Sequence, residues 1–324
     1  MKPNQDFTNL QVTALAGGVG GAKLADGLAA ILPGSNFTCI VNTGDDFTHL
    51  GLRICPDLDT VCYTLSGLAN PKTGWGAKDE TWNCLAAIRV LGGEDWFALG
   101  DRDLGLHLSR TARLNAGDKL SSVVEDFCRR MGIRCHVVPM SDDPVATMIE
   151  TQEMGWLPFQ EYFVKYHFLP KMMNVKFAGI ERARPAKGVL EAIAASDVIV
   201  ICPSNPWVSI QPILSVSGIE AALTGKVVIA VSPIIQGKTI KGPAAKMYAE
   251  MGIDPTAAAV AKHYRDFLTG FVLDQQDSAQ GDEICQWGII PNGTNTIMKT
   301  RNDRIRLARE VLVFAKRLLE DRYR

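Results

Sequence analysis

Five residues, Gly17-Gly18-Val19-Gly20-Gly21, lie between a short apolar strand pattern at Val12–Ala16 and a helical pattern at Ala22–Leu32. Glycine accepts positive φ and lets the backbone approach another group closely, while a helix N-terminus offers free N–H groups to an anion. The helical stretch carries Leu24, Leu28, Ile31 and Leu32 on one side and stops at Pro33-Gly34, and Phe37–Asn42 follows as a second strand. The chain therefore opens as β-loop-α-β, with the glycine run as a candidate phosphate site. Neither standard motif fits it. A dinucleotide fingerprint starting at Gly18 requires Gly or Ala where Lys23 stands, and a Walker A motif starting at Gly17 meets Ala22 and Leu24 at its later positions. A purely structural tight turn is the competing reading of the run.

The same alternation continues. Helical patterns occupy Asp57–Leu68, Glu80–Leu91, Leu104–Leu114 and Leu120–Met131, and Arg134–Val138 reads as a strand. Residues 145–180 turn aromatic and irregular, in segments suited to antiparallel hairpins. Strands at Asp197–Cys202, Lys226–Ser232 and Phe271–Asp274 then alternate with further helices, and Arg301–Asp321 closes the chain as an amphipathic helix. This order predicts an α/β fold with a doubly wound, mainly parallel, Rossmann-like sheet built from 1–144 and 181–324. Residues 145–180 are expected as a small inserted mixed or antiparallel subdomain that could cover the acceptor site.

The 324 residues carry 34 Lys and Arg against 35 Asp and Glu, a net charge of −1. Such a balance offers no general basic field for nucleic acid or an anionic membrane surface. The longest apolar runs, such as Val198–Cys202 and Val227–Val231, are too short to span a bilayer, and MKPNQDFTNL lacks the apolar core of a signal peptide. A soluble, cytoplasmic protein is expected, with no nucleic-acid or membrane partner. The eight cysteines include no C-x-x-C pair and fall mostly in apolar patterns, so they read as reduced structural thiols.

Acidic loops supply the remaining signal. Asn42-Thr43-Gly44-Asp45-Asp46 follows the second strand, and Asp57 and Asp59 open a helix in Ile54-Cys55-Pro56-Asp57-Leu58-Asp59-Thr60. Gly100-Asp101-Arg102-Asp103 and Ser141-Asp142-Asp143-Pro144 repeat the pattern. Each alone is an ordinary cap or turn. Together with the glycine run they converge on one expected sheet edge, where ligands bind in open α/β sheets. Carboxylates gathered without bases suit a hard cation such as Mg²⁺, which also binds phosphate oxygens. Ser204, Asn205, Ser209 and Ser232, beyond two later strands, are candidates to face a nucleotide.

Seven stretches in order resemble the 2-phospho-L-lactate transferase family of coenzyme F-420 biosynthesis: Gly17–Lys23, Asn42–Asp46, Ile54–Thr60, Leu99–Asp103, Met140–Pro144, Pro203–Pro206 and Val231–Ile235. The resemblance implies a Mg²⁺-dependent transferase that moves a phospho-acid from its guanosine diphosphate ester to the ribityl hydroxyl of the deazaflavin Fo, releasing GMP. Carried onto this chain, it implies that Gly17, Gly18, Gly20, Gly21 and Lys23 hold donor phosphates. Asp45 and Asp59 would be the catalytic and metal-binding carboxylates, with Asp46 and Asp57 behind them and Asp101 and Asp103 lining the same pocket. The first loop and Gly44-Asp45-Asp46 are closer to the bacterial pattern than to the archaeal one, which leaves lactate, enolpyruvate and 3-phosphoglycerate donors open. A homodimer is the expected assembly. The runner-up is a related family of non-enzymatic regulators that bind nucleotide-sugars.

Overall fold

The apolar runs pair side by side. The computed structural model describes residues 6–322. Its seven-stranded sheet is built from β1 (Val12–Ala16), β2 (Phe37–Val41), β3 (His136–Pro139), β4 (Val198–Ile201), β5 (Val227–Val231), β6 (Gly270–Asp274) and β7 (Ile290–Thr294). Their order is β7-β6-β5-β4-β1-β2-β3, and every neighbouring pair is parallel. The chain steps outward from β1 through β2 to β3, returns to β4 on the other side of β1, and continues outward to β7. The direction of winding therefore reverses between β1 and β4, the position at which doubly wound sheets bind ligands.

Both faces of the sheet are covered, which explains why β1, β4, β5 and β6 are buried at every residue. Alternation still assigns each side chain to a face. Val12, Ala14, Val198 and Val200 join the core beneath α1 (Gly18–Ala29), α2 (Pro56–Leu65) and the C-terminal helix Arg301–Arg322. Leu15, Ile199 and Ile201 join the opposite core, under the helices Val189–Ala195, Ile219–Leu223 and Ala257–His263. Three further helices, α3 (Asn83–Val90), α4 (Asp101–Asn115) and α5 (Leu120–Arg130), connect α2 to β3. Residues 146–178 form a separate three-stranded antiparallel sheet from Ala146–Thr151, Gly155–Pro158 and Met172–Ala178.

The structure departs from the sequence reading at three places. The first helix begins at Gly18, inside the glycine run, four residues before the apolar periodicity starts. A hairpin, Phe47–His49 with Leu52–Ile54, follows the Asn42–Asp46 loop; its turn is made by Leu50 and Gly51, both at positive φ, without the Asn-Gly or Asp-Gly pair that announces such turns. The edge strand β7 reads Ile-Pro-Asn-Gly-Thr, a composition tolerated at a sheet edge because a proline there costs no shared ladder bond. All eight cysteines are free.

Leu28 is fully buried in the core that α1 shares with the sheet and the C-terminal helix. Leu28→Ala should destabilise the protein by about 2–5 kcal/mol. Urea unfolding would show this as a lowered midpoint at unchanged slope; an unchanged midpoint would contradict the packing described.

Candidate active site

Three strand ends meet at the winding reversal. β1 runs into Gly17, β2 into Asn42–Asp46, and β4 into Cys202-Pro203-Ser204. The Ser204 hydroxyl accepts the Gly17 N–H at 3.1 Å and lies 2.8 Å from the Gly17 carbonyl, tying the first turn to the fourth strand. Gly18 has φ +61°, a left-handed conformation suited to glycine. A side chain at Gly20 would run into the Pro203 carbonyl, while Gly17 packs on Asp57 and Ser209 and Gly21 on Ser204. The glycine run thus lets two loops and α2 close on one another. Its first amide donors are partly taken: Asp57 Oδ1 accepts the Gly18 N–H at 2.7 Å. The Val19 and Gly20 amides, in the first turn of α1, have no side-chain acceptor among the described residues.

Asn42 joins this turn to the second acidic loop. Its amide donates to Asp57 Oδ2 at 2.9 Å and to the Val208 carbonyl at 3.2 Å, and its Oδ1 accepts the Gly44 N–H at 2.8 Å. Asp45, Asp46, Asp57, Asp59 and Asp103 are all buried. Burial first, then the neighbouring Asp57 charge, pushes Asp45 well above the usual carboxylate range. Burial likewise lifts Asp46 to about 7 despite Arg53, whose Nη2 lies 3.3 Å from Asp46 Oδ2. Asp57 rises to about 6 by burial, opposed by its bonds from Asn42 and Gly18. Asp103 also rises to about 6, chiefly by burial, with the Tyr63 hydroxyl opposing the shift.

Asp59 is held differently. Arg110, on α4, grips it with both terminal nitrogens: Nη1 reaches Oδ2 at 3.2 Å and Nη2 bonds Oδ1. Arg110 is itself buried and also donates to the Arg53 carbonyl at 3.2 Å. His107 Nδ1 stands 3.7 Å from Asp59, and burial holds that imidazole near 4, neutral at physiological pH. Asp103, His107 and Arg110 share one face of α4 at spacings of four and three residues. That spacing is visible in the sequence, yet neither the arginine nor the histidine stood in a motif, so the sequence reading missed both.

Several buried oxygens in this crevice have no hydrogen-bond partner among the described residues: Asp45 Oδ1, Asp46 Oδ1, Asp103 Oδ1, Thr43 Oγ1 and Thr147 Oγ1. Leaving such atoms unpaired costs about 1–3 kcal/mol each, more when charged, so the site is built to receive something. Among the described residues no three His, Cys, Asp or Glu side chains form a ready metal cage. Unpaired oxygens of this kind suit Mg²⁺, which uses one or two carboxylates and takes its other ligands from water and phosphate.

A family model described as 2-phospho-L-lactate transferase CofD matches residues 12–286. The chain belongs to that family. It is similar to a phosphoenolpyruvate transferase of Streptomyces griseus, 41% identical over 314 residues that cover 95% of this chain and 99% of the relative. A phosphoenolpyruvate transferase of Kitasatospora aureofaciens is 42% identical over 317 residues, covering 95% and 99%. A 2-phospho-L-lactate transferase of Methanococcoides burtonii is 39% identical over 285 residues, covering 88% and 93%. A crystal structure of a upf0052-family protein from Bacillus halodurans shares the fold, with a TM-score of 0.62 at 16% identity, covering 94% of this chain and 98% of that one. The protein is an enzyme that transfers a phospho-acid group. No helix among the described residues is long and apolar enough to cross a membrane.

In this transferase the sequence-predicted residues divide. Asp45, Asp46, Asp57, Asp59 and Asp103 come together. Asp101 does not line their pocket: its exposed carboxylate accepts from Thr81 Oγ1, Asn83 N and Cys84 N, so it ties down the first turn of α3. Ser232 turns inward to bond Ile234, and Asn205 caps Trp207. Ser209 is buried against Gly17. Lys23 lies on the second turn of α1 with Nζ 2.9 Å from the Met298 carbonyl.

Arg110→Met should destabilise the transferase by about 3–5 kcal/mol because it strands the Asp59 carboxylate, and adding Asp59→Leu should recover most of the loss in urea unfolding. Equal loss in the double variant would contradict the pairing. Asp46, Asp57 and Asp103 carry folded pKa values of about 7, 6 and 6 against 3.8 for the unfolded chain. The folded state then binds more protons than the unfolded one, so this contribution to stability is complete below the unfolded value and is lost as pH rises through about 6 to 7. Metal-free protein should melt at lower temperature at pH 8 than at pH 5, and Asp46→Asn should flatten the slope. A melting temperature that rises over this interval would count against the buried acids.

Proposed function

We propose that the protein transfers an enolpyruvyl phosphate group from its guanosine diphosphate ester to the terminal ribityl hydroxyl of Fo, with release of GMP and formation of dehydro-F-420-0. The observation that carries this reading is the set of buried, unpartnered carboxylate and hydroxyl oxygens beside the open first turn of α1, at the winding reversal of the sheet. The names of the bacterial relatives support enolpyruvate over lactate as the donor's acid.

On this reading Asp45 holds Mg²⁺ through its free Oδ1, with Asp46 Oδ1 and the Thr43 and Thr147 hydroxyls as further oxygen donors to the ion or its waters. Bound there, Mg²⁺ would neutralise phosphate charge and make an alcohol easier to deprotonate. The Val19 and Gly20 amides and Lys23 receive the donor's phosphates at the start of α1. Asp59 orients the ribityl hydroxyl. Arg110 fixes both of its oxygens, so the Asp59 carboxylate needs no reorganisation as it accepts the proton that the hydroxyl gives up. The hydroxyl oxygen then bonds to the phosphorus nearest the small acid, and the bond from that phosphorus to the bridging oxygen breaks as GMP departs. Ser209 and Asn205 border the nucleoside. Ser204 and Ser232 act through the loops they pin.

The test incubates purified protein with Fo, Mg²⁺ and equal amounts of the guanosine diphosphate esters of enolpyruvate, lactate and 3-phosphoglycerate, with products read by mass spectrometry. Dehydro-F-420-0 should dominate and vanish with EDTA, and Asp59→Asn should lower kcat by about 10² or more. A dominant lactyl or phosphoglyceryl product would replace the donor, and transfer in metal-free buffer would remove the magnesium role.

A further inference from the structure

Beside the first turn of α1 lies a cluster of cations that the carboxylates of the site do not balance. Lys241 arrives on the segment after the short ladder Ile234–Ile235 with Lys238–Thr239. Its ammonium bonds the Thr73 carbonyl and sits against Gly74. The Val19 side chain, from the opening turn of α1, packs on the same glycine. Lys23 approaches from the second turn of α1, and Arg304 from the C-terminal helix. Burial first, then the neighbouring Arg304 and Lys241 charges, holds the Lys23 ammonium below its ordinary lysine value.

Neither lysine has a carboxylate partner among the described residues; each rests on a backbone carbonyl, Met298 for Lys23 and Thr73 for Lys241. Asp26, a buried acid on α1, is shared by Arg304 at 3.1 Å and Arg301 at 3.3 Å. Like charges held together on neutral carbonyls repel one another, and an anion carrying more than one charge would relieve that repulsion. Lysine is well suited to the task because a point charge can leave a carbonyl for a phosphate oxygen without a fixed approach angle.

We propose that Lys241, together with Lys23, clamps a diphosphate group against the first turn of α1, Lys241 exchanging the Thr73 carbonyl for a phosphate oxygen. This rests on the guanosine diphosphate donor described above and adds a residue from the segment that follows Val231–Ile235. In binding terms Lys241 is a positioning residue for the donor's diphosphate, and Thr73 is its resting place when the site is empty of anion. A diphosphate offers oxygens to both lysines at once, which a single phosphate does less well.

The experiment is calorimetric titration of the full chain with GDP, GMP and inorganic pyrophosphate, each with Mg²⁺ at fixed ionic strength, for the wild type, Lys241→Gln and Lys241→Arg. Lys241→Gln should weaken GDP and pyrophosphate by roughly tenfold or more, the weight of one charge-assisted hydrogen bond, and GMP much less. Lys241→Arg should restore most of the GDP affinity. Wild-type GDP affinity in Lys241→Gln, or equal weakening of GDP and GMP, would overturn the clamp while leaving the donor intact. Pyrophosphate binding that depends on Lys241, in a wild-type protein that binds no GDP, would keep the clamp and overturn the guanosine donor.

Discussion

Removing several carboxylates from water at one sheet edge is the constraint on which the rest of the site depends. Asp45, Asp46, Asp57 and Asp103 are each pushed upward chiefly by burial, and among the described residues the guanidiniums of Arg53 and Arg110 pair with acids of the group. Buried charges are tolerated when they are paired or when they wait for a partner. Both solutions occur here. Arg110 neutralises Asp59 and fixes its direction, whereas Asp45 and Asp46 retain oxygens with nothing to bond. On the proposed reading, the stability given up in the metal-free protein would be recovered when a cation and phosphate bind.

The scaffold holds this arrangement by joining loops that are far apart in sequence. Ser204 binds both backbone groups of Gly17, Asn42 links the second loop to Asp57, and Asp57 in turn takes the Gly18 amide. β1, β2 and β4 supply these loops from adjacent positions in the sheet. A displaced carboxylate would therefore disturb its neighbours, which is why the buried network and the doubly wound topology belong to one account.

Much of this was legible in the sequence. The β-loop-α-β opening and the alternation after residue 181 follow from apolar periodicity, the aromatic, irregular stretch does hold antiparallel strands at 146–178, and the acidic loops fall at strand ends or helix starts. The roles of the glycines were not legible, because what Gly20 must avoid is the Pro203 carbonyl, a contact set by tertiary packing. Arg110 was hidden for a similar reason: on paper it is one more basic residue on an amphipathic helix, and only the packing of α4 brings it to Asp59. Asp101 shows the converse, since its motif is intact while its side chain serves as a helix tie on the surface.

The most direct measurement is a crystal structure of the protein soaked with Mn²⁺ and GDP, with the metal located by its anomalous signal. The account predicts one strong site at the Asp45 carboxylate, in contact with a phosphate oxygen and with the Asp59–Arg110 pair intact. A metal bound elsewhere, or one that draws Asp59 away from Arg110, would contradict it.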